Sequence, residues 1–218
     1  RRNLWLVDIK SGEQTPLFSD ENQYLHPRWS PDGKKIAFIS NAFGSYQVHV
    51  HYLEQNRTAL LSQFQSSVSN LTWSPDGKWL AFSQQINEKP SVIAKMPAKP
   101  KGAKWSEPAI VIDKAYSQAD GRGLVKPGFR QIFILPSDGG TPRQLTSGDF
   151  HHGGQLTWHS NSEEIVFSAN RIKDWEYKRL EGDLFSVDLK GKLTQLTTQP
   201  GREHSPSFSR DGKKLAFL

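Results

Sequence analysis

No cysteine occurs in the 218 residues, which excludes disulfides and thiolate-held metals while leaving the redox compartment open. No stretch approaches ~18 consecutive apolar residues, so nothing reads as a transmembrane helix and no membrane partner is expected. Lys and Arg outnumber Asp and Glu by 28 to 22, for a net charge of +6, yet they are spread thinly through turns with no basic run. A solvated basic surface follows, and nucleic acid is not an expected partner. The nucleophile elbow G-x-S-x-G is missing, as is any alternation of strand-like and helix-like segments that would hold one. The chain opens on Arg1-Arg2 with neither Met nor a signal sequence, which reads as a mature or excised piece.

What is present is repetition. The ten residues Trp29 to Phe38, WSPDGKKIAF, return at Trp73 to Phe82 as WSPDGKWLAF, and in worn form at Trp158 to Phe167 and Phe208 to Phe217. Internal repeats outrank other signals in setting the fold. In Ser30-Pro31-Asp32-Gly33 the proline presets the first corner of a type I turn, Asp32 suits the second, and Gly33 takes the left-handed position. Asp76-Gly77 and Asp211-Gly212 repeat the pattern, whereas His159-Ser160-Asn161-Ser162 has lost both Pro and Gly, leaving its turn shape open. The strand after each turn is apolar on both faces, as expected of a sheet sandwiched between two others. A small residue recurs within it, at Ala37, Ala81 and Ala216 with Val166 in the third copy, which suits a crowded spot between sheets.

The spacing of Trp29, Trp73, Trp158 and Phe208 is about 40 to 50 residues, with one gap near twice that, the period of a four-stranded propeller blade. The fold class read from this is all-β: a β-propeller of four-stranded antiparallel blades, about five blades' worth, either a closed ring or an open arc of a larger one. One domain spans 1–218, with a partial blade at 1–18, blades at about 26–62, 70–112, 113–146 and 151–197, and a partial blade at 204–218. The gap between Phe82 and Trp158 thus hides a blade without an anchor. After each repeat an outer strand pair follows, as in VHVHYL with TALL, split by turn residues.

The rhythm breaks twice. Between Ile86 and Gly128, prolines at Pro90, Pro97, Pro100 and Pro108 forbid central strands, so a long surface loop is expected, with short strands at 91–95 and 109–112. Between the Val166 and Leu184 strands lies a charged and aromatic insertion containing Arg171, Asp174, Trp175, Glu176 and Tyr177. It suits a recognition surface, or a salt-bridged hairpin whose Trp caps the blade edge.

With those features in view, the chain resembles the N-terminal β-propeller domain of the prolyl oligopeptidase family, in its acylaminoacyl-peptidase and dipeptidyl-peptidase branch. Tol-system propellers and other periplasmic ring proteins share WSPDGKxxAF, so the order of the rest carries the likeness. It runs from Met96-Pro97 through Pro100 to Trp105, Ile110 to Asp113, Tyr116 with Asp120-Gly121 and Gly123, and Gly139 to Asp149. It continues through Ser168 to Arg171, Asp174 to Tyr177, and Leu196-Thr197 before Gly201 and Pro206. The branch has Arg directly after the tyrosine where this chain has Ser117, so that arginine's role is not carried over.

The resemblance implies a ring of blades capping an α/β-hydrolase domain of the same parent chain, restricting substrates to short peptides. It places the catalytic serine in the hydrolase part, so no catalytic residue is expected here. No cofactor is expected. The domain is expected to be soluble, with periplasm and cytoplasm both left open and a lean to the periplasm, and a homo-oligomer is compatible with it. Arg171, Asp174, Trp175, Glu176 and Tyr177 become substrate-gating candidates, with Asp174 or Glu176 offering a carboxylate to a peptide's amino terminus. Asp32, Asp76 and Asp211 are turn formers, not general bases. His49 and His51 share one strand face and His151-His152 sit in a loop, but neither pair has a third ligand nearby, so they read as solvated or packing histidines and no metal is expected. Two other readings stand beside the first: a free-standing Tol-system-like interaction scaffold, and a propeller enzyme such as a polysaccharide lyase with a divalent metal.

Overall fold

The computed structural model describes residues 2–89, 97–105, 111–112, 114–115, 117–121 and 123–218; among them regular structure consists of strands, with no helix. A first pair, β1 (Leu4–Val7) and β2 (Gln14–Phe18), is followed by a four-stranded antiparallel sheet in chain order: β3 (Tyr24–Trp29), β4 (Lys35–Ser40), β5 (Gln47–Tyr52) and β6 (Arg57–Leu60). The second sheet begins with β7 (Val68–Trp73) and β8 (Trp79–Asn87). After a long connection bearing the small hairpin β9 (Gln118–Ala119) and β10 (Gly123–Leu124), it resumes with β11 (Gly128–Pro136) and β12 (Arg143–Gln144). A third comprises β13 (His152–Trp158), β14 (Glu164–Ala169), β15 (Asp183–Asp188) and β16 (Leu193–Gln195), and the chain ends on the pair β17 (Ser207–Phe208) and β18 (Leu215–Ala216). The first strands β3, β7, β13 and β17 lie side by side, so successive sheets fan around a common axis as propeller blades do. β1–β2 and β17–β18 remain separate two-stranded sheets, and the blades form an arc, not a closed ring.

One boundary is corrected. The separate blades at 70–112 and 113–146 are a single sheet, because β8 pairs with β11 continuously from Asn87↔Gly128 to Trp79↔Pro136. The extra length leaves the sheet between its second and third strands and returns in register, so the described residues form one blade here, not two. The expected strands at 91–95 and 109–110 lie outside the described residues, as do Met96, Asp113 and Tyr116 of the family pattern, while 111–112 is not strand.

Packing explains the doubly apolar middle strands. Ala37, Ile39, Val48 and Val50 of the first sheet meet Leu80, Phe82, Phe133 and Leu135 of the second. The opposite face of that second sheet, Ala81, Ile132 and Ile134, meets Leu156, Ile165, Phe167 and Phe185 of the third. Alternate residues of one strand thus serve two interfaces, and Ala37 and Ala81, fully buried, leave room for rings from the neighbouring blade. Ala216, on the terminal pair, is exposed. Trp73 adds a polar tie, its indole N–H donating to the Arg28 carbonyl one blade back at 3.0 Å.

The repeated turns follow the expected chemistry. Ser30 Oγ donates to Asp32 Oδ1 (2.6 Å) and accepts the Lys35 amide (2.9 Å), while Gly33 sits at φ 71°. The Ser30 hydroxyl and the Lys34 amide hold the Asp32 carboxyl below its ordinary range, consistent with a turn former. The third turn keeps the same shape without Pro or Gly: Ser162 occupies the left-handed position at φ 62°, and its amide donates to the His159 carbonyl at 3.0 Å. The strain is compensated between blades. Ser162 Oγ accepts the Asp76 amide of the preceding turn at 3.0 Å. His159, standing where the other turns have serine, makes different bonds: Nδ1 accepts the Asn161 amide, and Nε2–H donates to the Gly212 carbonyl of the following turn at 3.2 Å. Pro31, which lies against Gly77, completes a chain of turn-to-turn contacts along one edge of the arc.

Where the long connection rejoins the sheet, Gly128 adopts φ 126°, and a Cβ there would stand 2.0 Å from the Ile86 carbonyl oxygen. Gly148 also has a positive φ (97°) but opens on empty space. Chemical denaturation should therefore show Gly148→Ala costing about 1 kcal/mol of backbone strain, and Gly128→Ala about 3 kcal/mol or more, since backbone must also move. Equal costs would place the steric demand elsewhere.

Candidate functional site

Because the strands are antiparallel, the repeated turns occupy one edge of the arc and the connections between second and third strands occupy the other. Those connections are residues 41–46, 88–127 and 170–182 in successive blades. The two long ones lie in adjacent blades and meet. Glu176 Oε2 accepts the Ala115 amide at 2.8 Å, and Lys114 Nζ stands 3.8 Å from Glu176 Oε1 and 5.5 Å above the Phe129 ring. Trp175 turns inward, edge-on to His151 (5.4 Å between centroids) and Phe129 (6.2 Å).

Beneath this contact lies a polar cluster built on a motif common to the blades. In the first sheet Ser62 Oγ donates to Gln47 Oε1 (2.8 Å) and accepts the Val48 amide (2.9 Å), locking the end of the fourth strand to the start of the third. In the second, Thr146 does the same to Gln131 (2.8 Å) and the Ile132 amide (2.9 Å). In the third, Thr197 Oγ1 accepts the Leu184 amide at 2.9 Å. The sequence signal is a second repeat, Leu61-Ser62, Leu145-Thr146 and Leu196-Thr197, which the reading of strands alone passed over.

At the second lock a histidine joins. Gln131 Oε1, already accepting from Thr146, also accepts from His152 Nδ1 at 2.8 Å, so His152 carries its proton on Nδ1. Its Nε2 lone pair accepts a hydrogen bond from the Arg171 guanidinium. Arg171 is itself stacked over Phe150 (4.7 Å to the centroid) and near Phe185 (5.8 Å). His152 is fully buried, and that burial, with the charges of Arg171 and His151 beside it, pushes its pKa down to about 4. Arg130 completes the group: its amide donates to His151 Nδ1 at 3.1 Å, and its Cδ lies 2.9 Å from where a Cβ on Gly153 would stand.

Of the residues singled out by sequence, Arg171, Trp175 and Glu176 are brought into this cluster. Asp174, at φ 61°, and Tyr177, 81% exposed, face solvent from the same loop. Gln131, Phe129, Phe150 and Arg130 belong to the cluster without having stood out in the sequence. His49 and His51 are packed: His49 lies between the rings of Phe38 and Phe43, and His51 Nδ1 pairs with Thr58 Oγ1 at 3.0 Å. Among the described residues no three His, Asp or Glu side chains are placed to hold a metal. The same edge exposes Phe43, Trp105, Ile112, Leu124, Val125, Tyr177 and Leu180, all from the three second-to-third connections.

The chain matches the TolB beta propeller domain (PD40) over residues 1–183. It belongs to that family. It is 30% identical over 169 residues to the uncharacterized peptidase YuxL of Bacillus subtilis, covering 77% of this chain and 25% of the peptidase. Among solved structures it is similar to TolB from Acinetobacter baumannii, with a TM-score of 0.63 at 17% identity over 99% of this chain and 42% of that one. It is also similar to the acylaminoacyl peptidase of Pyrococcus horikoshii, with a TM-score of 0.65 at 18% identity over 88% of this chain and 27% of that one. This TolB-type domain is therefore related to propellers of both kinds, and it spans about a quarter of the peptidases it matches. Among the described residues no helix is long and apolar enough to cross a membrane.

His152 sets a pH response. Its folded pKa of about 4 lies below the ordinary 6.5, so between these values the unfolded chain binds more protons than the folded one. Its contribution is whole above pH 6.5 and is lost as pH falls toward 4, a change of about 3 kcal/mol. Urea titrations across that window should show stability falling toward acid, with a shallower fall in His152→Gln. Parallel profiles would remove His152 as the cause.

Proposed function

We propose that this TolB-type domain is the non-catalytic, substrate-restricting propeller of a serine peptidase. Its connection edge docks on an α/β-hydrolase domain of the same parent chain and admits short peptides. The observation that carries the reading is the asymmetry of the two edges. Among the described residues one edge is closed by short turns bonded to each other, with Val7, Ile9 and Trp29 exposed beside them, and the other gathers two interlocked insertions and seven exposed large apolar side chains. Exposed apolar side chains collected on one edge mark an interaction surface. The kinship with a peptidase of Bacillus subtilis supports the kind of partner. The lack of a serine elbow in these residues is in keeping with a parent whose chemistry lies elsewhere. The similarity to TolB over nearly the whole chain favours a second reading, a protein-interaction scaffold that uses the same edge.

Tyr177→Asp combined with Leu180→Asp in the full-length parent tests the first reading. The expected result is a rise of about tenfold in kcat/KM for a thirty-residue peptide relative to a tripeptide, as the apolar seal between domains is breached. An unchanged ratio, or a parent gene encoding no hydrolase region, would overturn it in favour of the scaffold.

A further inference from the structure

Arg171 combines three features that its structural role does not use up. First, its guanidinium is partly buried and held flat by Phe150 and Phe185, which fixes the plane of the fork. Second, the partner it does have is neutral: it gives one N–H to His152 Nε2, while the proton of that ring is committed to Gln131. Third, among the described residues no carboxylate lies within ion-pair distance of it: of the acids on its own loop, Asp174 faces solvent, Glu176 is taken up by Ala115 and Lys114, and Glu181 accepts the Gly201 amide. A desolvated cation without a counter-charge is costly, and the cost is relieved when an anion arrives.

The surroundings add to this. Arg130 lies against Gly153 on the same short segment, where the missing side chain leaves it room, so two guanidinium groups flank residues 151–153. The rings of Phe150, Phe129 and Trp175 offer apolar contact beside it. A planar fork with free N–H donors suits a carboxylate, which it meets through two parallel hydrogen bonds. Basic residues are otherwise thinly spread, so an extended polyanion finds no track to follow.

We propose that Arg171 anchors the free C-terminal carboxylate of a short peptide at the connection edge. The inference rests on the peptide-restricting reading above and adds which end of the substrate is held. It makes the domain a selector for peptides that end within reach of Arg171, with length measured from the carboxylate.

The test is equilibrium binding of N-acetyl-Ala-Ala-Phe to the full-length parent, compared with the same peptide as its C-terminal amide. The acid should bind about tenfold more tightly than the amide. Arg171→Gln should bring the acid to the level of the amide and leave the amide unchanged, and Arg171→Lys should recover only part of the difference. A purely structural role would instead weaken both peptides alike. The comparison on the unaltered protein needs no variant, so a folding defect in Arg171→Gln leaves the test intact. Equal binding of acid and amide overturns the carboxylate site alone, whereas binding of neither overturns the peptide-restricting reading as well.

Discussion

A sheet whose middle strands are apolar on both sides cannot be stable alone in water. In this chain that constraint falls on β4, β8, β11 and β14, each of which has an unbroken run of buried residues whose consecutive side chains serve different neighbours. Each blade is therefore completed by the next, and stability accrues by interfaces more than by sheets. Moving Phe82, Leu80, Phe133 and Leu135 out of contact with the first blade would expose four large side chains, each worth about 2 kcal/mol on burial. The arc holds together because that loss is greater than any single polar tie between blades.

The polar ties decide how the stacked sheets are aligned. Along the turn edge, Trp73 reaches the Arg28 carbonyl, Ser162 receives the Asp76 amide, and His159 reaches Gly212. Each is a modest bond of about 1 kcal/mol, but each fixes a distance between corresponding points of adjacent repeats. The third turn shows the rule by its exceptions. It has lost Pro and Gly, which favour its own geometry, and their replacements Ser160 and Ser162 lie against the following turn at Gly212 and the preceding turn at Asp76.

Much of this could be read from the letters. WSPDG carries turn chemistry at fixed offsets from an apolar triplet, so the hairpins, their registers and the double-sided burial follow from local rules. The blade count between Phe82 and Trp158 does not, because length along the chain is no measure of the number of sheets. Residues 88–127 are as long as a blade, yet β8 and β11 pair across them without a break. Gly128 was the visible clue, since only a glycine fits beside the Ile86 carbonyl, but that crowding exists only once the strands have met. The same holds at the site. Arg171, Trp175 and Glu176 stood out as an odd composition in a loop, whereas Gln131 and Phe129 look like ordinary strand residues until the adjacent blade brings His151 and His152 against them.

The two edges of the arc therefore carry different freedoms, and this bears on how such a domain would control access. Lengthening a connection from the size of 41–46 to that of 88–127 costs only about 2 kcal/mol in closure entropy, because the cost grows with the logarithm of length. Contacts such as Glu176 with Ala115 and Trp175 with Phe129 can offset it. Parting two blades costs several times more, since an interface core such as that of Phe82 and Phe133 would meet water. Control of entry is thus far cheaper through rearrangement of the interlocked insertions than through separation of blades. On that comparison the sheets act as a rigid frame, and selectivity resides in the side chains of the connection edge.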